Sequence, residues 1–118
     1  LKGKDTMTEV KDWEKYGAGL KARGKELGQL HPDIVKGFVA LSNGAAHTKH
    51  LDAKTREFIA LAVAITTKCD GCIDAHARKA KAAGATKEEI AEALGVAIAL
   101  NAGAAYTYAL HVLDAVGD

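Results

Sequence analysis

The stretch Cys69-Asp70-Gly71-Cys72-Ile73-Asp74-Ala75-His76-Ala77-Arg78-Lys79-Ala80-Lys81-Ala82-Ala83, closed by Gly84, decides how this chain is read. Its composition favours a helix and its glycine stops one, so positions can be projected at about 100° per residue. On that projection Cys69, Cys72 and His76 fall within an arc of about 60°. Ile73, Ala80 and Ala83 share the same face of the helix, whereas Asp74, Arg78 and Lys81 point away, with Asp74 and Arg78 at the favourable i,i+4 spacing. Two thiols and an imidazole on the protein-facing side of one helix predict a redox site.

Working outward, the segment before the thiols, Ala53 to about Lys68, is apolar nearly all round from Phe58 to Ile65, which predicts a helix at the centre of the core. Asp52 is placed to cap it. A tight connection at Thr67-Lys68 then folds the two helices back on each other as a hairpin. At about 1.5 Å per residue, Glu57 lies about 15 Å before the turn and His76 about 10 Å after it. The difference is about one helical turn, within reach of a glutamate side chain or a bridging water.

After the thiols, Thr86-Lys87-Glu88-Glu89 matches a capping box and opens another helix. The apolar stretch Ile90 to Val116 that follows has transmembrane length, but it contains Glu92, Asn101, His111 and Asp114 and is read as a buried helix. Asn101 and Gly103 leave open whether it is one helix or two. Ala91, Gly95, Ala99, Gly103 and Thr107 form a small-residue stripe for close helix packing, either within the chain or between subunits. Towards the N-terminus, a polar helix is expected over about Thr8 to Leu27, with Val10, Trp13, Leu20 and Leu27 buried. A second should start with Pro32 at its first position and end near Asn43-Gly44. No window alternates as a strand does. The expectation is an all-α fold of about six helices in one domain over 1–118.

A chain of 118 residues supports one core, and 16 basic against 15 acidic residues give a formal charge of +1. That balance offers no footprint for nucleic acid; Lys21, Arg23 and Lys25 alternate with other residues as a solvated helix face does. No export signal or membrane span is expected, and two cysteines without a signal segment point to the reducing cytoplasm, where a C-x-x-C pair is catalytic or metal-binding more often than a static staple. His47 and His50 fall in a polar connection and read as exposed loop. Tyr106, Tyr108 and His111 read as packed bodies with satisfied polar tips, and Trp13 as an anchor for the first helix.

Thiol chemistry needs a thiolate, and a free cysteine near pKa 8.5 is mostly protonated at neutral pH. Three features favour the anion here: a helix start at Cys69, His76 one turn beyond Cys72, and the positive charge of Lys68. The two-residue spacing lets one sulfur capture its oxidised neighbour as a disulfide before over-oxidation. Carboxylate and imidazole, Glu57 and His76, would move the proton. The helix start favours Cys69 as the attacking thiol and the spacing to His76 favours Cys72. A zinc site using both thiols, His76 and Glu57 is the competing reading, but it lacks the usual second cysteine pair or knuckle; the expectation is no metal and no cofactor.

The order Glu57, eleven residues, Cys69, two residues, Cys72, three residues, His76 resembles the alkylhydroperoxidase D (AhpD) and carboxymuconolactone decarboxylase family. The flanking segments Lys54 to Ala64 and Ala82 to Ile90 carry the same likeness, over a core of about Pro32 to Leu113 with an N-terminal helix before it. The resemblance implies an all-helical domain assembling as a homo-oligomer, a trimer or hexamer. For members with both cysteines it implies a thiol-dependent peroxidase, reducing hydroperoxides through a disulfide that a lipoylated or thioredoxin-like dithiol protein re-reduces. By position, Glu57 and His76 would form the proton relay, and Cys69 and Cys72 would share the attacking and resolving roles. Two departures stand out: Gly71 occupies a position where some members have a second histidine, and this chain carries one copy of a core that larger members duplicate. The alternatives are a thiol-disulfide oxidoreductase without peroxidase activity and a carboxymuconolactone decarboxylase-like lyase; decarboxylase members do not rely on a cysteine pair.

Overall fold

A computed structural model describes residues 11–118. Five α-helices make up the described residues: α1 (Trp13–Leu30), α2 (Pro32–Ala46), α3 (Ala53–Thr66), α4 (Asp70–Ala82) and α5 (Lys87–Val116). The all-α expectation holds, with five helices in place of about six because Ile90 to Val116 is one uninterrupted helix. Asn101 does not break it: its side-chain amide donates to Ala97 O, one turn back, and to Thr66 Oγ1, each at 2.8 Å, so the residue is tied to its own helix and to α3. The chain divides into two compact units, one ending at His47 and the other running from Thr48 to Asp118.

In the first unit α1 and α2 form a hairpin. Asp12 caps α1 by accepting from Lys15 N at 3.1 Å, and Pro32 opens α2, where a missing N–H costs nothing. Gly28 marks their close approach, since a Cβ there would stand 3.8 Å from Val35. The expected burial of Trp13, Leu20 and Leu27 is not found: no residue of α1 is buried, Trp13 is half-buried against Tyr16, and Leu20 and Leu27 are exposed. One neighbouring helix cannot cover a stripe that wide. Val10 lies outside the described residues. The second helix runs past Asn43-Gly44 to Ala46, as Ala45 and Ala46 sustain helical geometry and His47 N–H closes the end on Gly44 O.

The second unit holds the core. α3 packs on α4 and on α5, and its Leu61 and Ala64, with Ala80 of α4 and Ala97 of α5, are the buried apolar residues. Asp52 caps α3 through Thr55 N at 2.8 Å, and Thr86 and Glu89 form the expected capping box on α5. Lys54 Nζ reaches Glu89 Oε2 at 3.0 Å, tying the start of α3 to the start of α5.

The expectation that α5 is a buried helix is overturned. Ala97 is its one buried residue, and Val96, Ile98, Leu100, Tyr106, Tyr108, Leu110, Val112, Leu113 and Val116 are all exposed. α3 has 14 residues against 30 in α5, so the second half of α5 extends past the helix that could cover it. Tyr106 and Tyr108 are 70% and 74% exposed, so their bodies are not packed within the chain. By length and composition α5 is also long and apolar enough to cross a membrane.

Candidate active site

The α3–α4 connection builds the site. α3 ends at Thr67, whose hydroxyl back-bonds to Val63 O at 2.9 Å, and Lys68 then takes a left-handed conformation at φ 56°. Cys69 N–H reaches Ala64 O at 3.0 Å, closing a Schellman-type turn that reverses the chain. The reversal makes Cys69 the N-cap of α4, with its sulfur accepting from Cys72 N at 3.1 Å. The helix thus starts one residue later than the thiol, and the first cysteine's sulfur does the work of a capping oxygen.

Cys69 and Cys72 are joined as a disulfide, their Cα atoms 5.2 Å apart. Both residues are half-buried. One turn beyond Cys72, His76 Nδ1 lies 2.6 Å from Glu57 Oε1 on α3. Glu57 is 8% exposed and is the one buried charged residue in the described chain. A carboxylate accepts and cannot donate, so this bond places the imidazole proton on Nδ1 and leaves Nε2 of the neutral ring with its lone pair. The turn-difference estimate from the sequence therefore resolves to direct contact, without a bridging water.

All four expected residues, Glu57, Cys69, Cys72 and His76, are brought onto the facing sides of α3 and α4. Among the described residues no three His, Cys, Asp or Glu side chains converge as a metal-holding group. The i,i+4 pair Asp74–Arg78 forms on the outer face as expected.

Other positions were less visible. Arg56, beside Glu57, donates through Nη1 to Thr48 Oγ1 at 2.7 Å, and Thr48 in turn donates to Leu51 O at 2.6 Å, bracing the loop ahead of α3. Spacing alone gave no signal for this. His47 and His50 flank that loop and are exposed. An apolar groove of about 590 Å³ runs between α3 and α5, lined by Phe58, Ile59, Ala62, Val96 and Leu100 among others. Ile59 and Ala62 project about 140–200° from Glu57 on α3, so the groove lies on the far side of that helix from the thiols.

Comparison with known proteins identifies the family. A family model for the carboxymuconolactone decarboxylase family matches residues 32–115. A Haemophilus influenzae relative, an uncharacterized protein, is 53% identical over 104 residues, covering 88% of this chain and 92% of its own. A Paracoccus denitrificans relative, named uncharacterized protein 4 in cox locus, is 42% identical over 77% of this chain and 85% of its own. The crystal structure of a carboxymuconolactone decarboxylase family protein from Legionella pneumophila superposes with a TM-score of 0.73 at 30% identity, covering 90% of this chain and 95% of that one. With its helices, its thiol pair and its Glu–His contact in place, the chain belongs to the carboxymuconolactone decarboxylase family, in its AhpD-like form.

Proposed function

We propose that this protein is a thiol-dependent peroxidase that reduces hydroperoxides through a Cys69–Cys72 disulfide cycle. The observation that carries the reading is the 2.6 Å bond between buried Glu57 and His76, one turn from the disulfide. Held by Glu57, the imidazole is a positioned base for one of the thiols. In the reduced protein a cysteine thiolate attacks a peroxide oxygen, the O–O bond breaks, and an alcohol leaves after taking a proton. The second cysteine then attacks the sulfur of the resulting sulfenic acid, its S–OH bond breaks, and the hydroxyl leaves as water with the attacking thiol's proton, forming the disulfide. A dithiol reductant, borne on a lipoylated or thioredoxin-like protein, then supplies two electrons and two protons to reopen it. The amide of Cys72, already bonded to Cys69 Sγ, also stabilises negative charge on that sulfur during the cycle.

The same reading makes the protein a cytoplasmic homo-oligomer, a trimer or hexamer. Its support is the bare second half of α5, where the large apolar side chains from Tyr106 to Val116 stand exposed around the helix, more open apolar surface than a lone chain usually carries. A second copy of the chain would cover this surface.

Rapid mixing of the reduced protein with an organic hydroperoxide, scored by peroxide loss and by thiol counting, tests the function. Wild type should lose two thiols for each peroxide reduced, and Cys69→Ser and Cys72→Ser should each lose turnover. Turnover that survives both substitutions would point to a lyase of the same family. Thiols that exchange with disulfides but leave peroxide intact would point to a thiol-disulfide oxidoreductase.

A further inference from the structure

We infer that Lys68 is a specificity-determining residue for the reductant, selecting a dithiol that carries carboxylate groups near its thiols. This rests on reading Cys69–Cys72 as a cycling disulfide. Lys68 is the one non-glycine residue with positive φ in the described chain. It occupies the left-handed position of the Schellman turn, where glycine fits without steric cost and a lysine is held against its backbone preference. Gly84 fills the corresponding position after α4, at φ 86°, the residue that this conformation favours. Replacing glycine by lysine in the turn next to the disulfide adds one thing of chemical consequence, a cation.

The surroundings leave that cation available. Lys68 is exposed and takes part in none of the ion pairs of the described residues. Of the nearby carboxylates, Glu57 is bonded to His76, Asp74 is paired with Arg78, and Asp70 is itself partnered. Lys79 and Lys81 sit in the last turn of α4, at the opposite end from the thiols. An exposed cation outside the ion pairs given above thus directly precedes Cys69 in the chain. Reduction begins when a thiolate attacks one sulfur and the S–S bond breaks; the reductant's second thiol then attacks the mixed disulfide. Two electrons and two protons pass to the cysteines, and the reductant leaves as its own disulfide. An attacker with an added carboxylate gains from Lys68 during approach, through an attraction that salt screens.

The test compares dihydrolipoate with dihydrolipoamide, which share one dithiol and differ only in carboxylate against neutral amide. Each is mixed with the oxidised protein, and opening of the disulfide is followed by quenched alkylation and mass counting. At about 10 mM ionic strength, where the screening length is about 30 Å, wild type should open about 3-fold faster with the acid than with the amide; at about 1 M the ratio should fall to about 1. Lys68→Gln keeps a side chain in the strained position and removes the charge; Lys68→Gly removes both. Both variants should give a ratio near 1 at low salt, and Lys68→Glu should invert it. A wild-type ratio of 1 at low salt, or Lys68→Gln retaining the wild-type ratio, overturns the inference. Because no peroxide is present, a missing peroxidase activity leaves this readout intact, whereas a disulfide that neither dithiol opens overturns this inference and the cycling reading together.

Discussion

The α3–α4 hairpin and the second half of α5 make opposite use of similar raw material. Both are rich in alanine and aliphatic residues, yet in the hairpin the polar groups are placed and bonded: Glu57 to His76, Cys69 Sγ to Cys72 N, Cys69 N to Ala64 O. Along α5 beyond Asn101 the large side chains are exposed, and the polar contacts formed there are internal to the helix, such as Thr107 Oγ1 donating to Gly103 O at 3.0 Å. One region is finished by its own chain; the other leaves its large apolar side chains uncovered. Buried polar groups are costly unless satisfied; on the proposed reading the carboxylate buried near the disulfide is kept for its chemistry and the open apolar surface for association.

The sharpest way to break this comparison is at the finished end. His76→Gln should slow peroxide reduction by about 100-fold or more, the usual contribution of a positioned acid–base group, with the disulfide still formed by an external oxidant. Glu57→Gln keeps an oxygen that accepts from Nδ1–H but loses the charge, so about a 10-fold loss is expected. Steady-state rates over a range of pH separate the two, and equal, negligible losses would remove the relay from the reading.

At the unfinished end, Leu113→Glu should leave the fold intact, because the side chain is exposed in the protomer and such substitutions cost less than about 0.5 kcal/mol. Sedimentation should nonetheless shift from an oligomer to a lighter species, with at least 100-fold weaker association. A wild-type chain that sediments as a monomer would defeat the proposal that a second copy covers α5.

The same contrast explains how much was legible in the sequence. Local signals worked wherever a short-range physical rule was sufficient: Asp52 and Thr86 as caps, Pro32 as a helix start, the reversal at Thr67-Lys68, and the Glu57–His76 encounter, which follows from rise per residue and a tight turn. What depended on neighbours was misread. An apolar helix such as α5 reads as buried whether its cover comes from its own chain or from another. Leu20 and Leu27 repeat at helical spacing, yet their exposure depends on how many helices reach α1. The left-handed Lys68 escaped notice because the residue type argues against that conformation.

A smaller effect probes the caps that frame the hairpin. Thr86→Ala removes the hydroxyl that accepts from Glu89 N at 3.0 Å and should cost about 1 kcal/mol, read as a lower urea midpoint with an unchanged m-value. Peroxide reduction should stay as in wild type, since the box lies at the start of α5 and touches none of the four site residues. A matching loss of activity would mean that the frame and the site are coupled.

The smallest expected effect is a pH dependence at the same frame. The Asp52 carboxyl is held below its ordinary value, first by its side-chain bond from Thr55 and then by the Thr55 amide, and Glu89 is lowered first by the Thr86 amide and then by Lys54. In each case the folded chain prefers the ionised form more than the unfolded chain does. Between the lowered folded value and the ordinary unfolded one, the unfolded state binds more protons, so stability rises with pH there. The contribution is complete above the ordinary carboxylate values of about 4 and is lost as pH falls through the folded values. Asp52 is exposed and Glu89 half-exposed, so solvent screening keeps the effect small. Urea midpoints taken from pH 6 down to pH 2.5 should fall less steeply in Asp52→Asn and Glu89→Gln than in wild type, each variant being weaker at neutral pH and converging on wild type in acid; parallel profiles would show that these carboxylates ionise alike in both states.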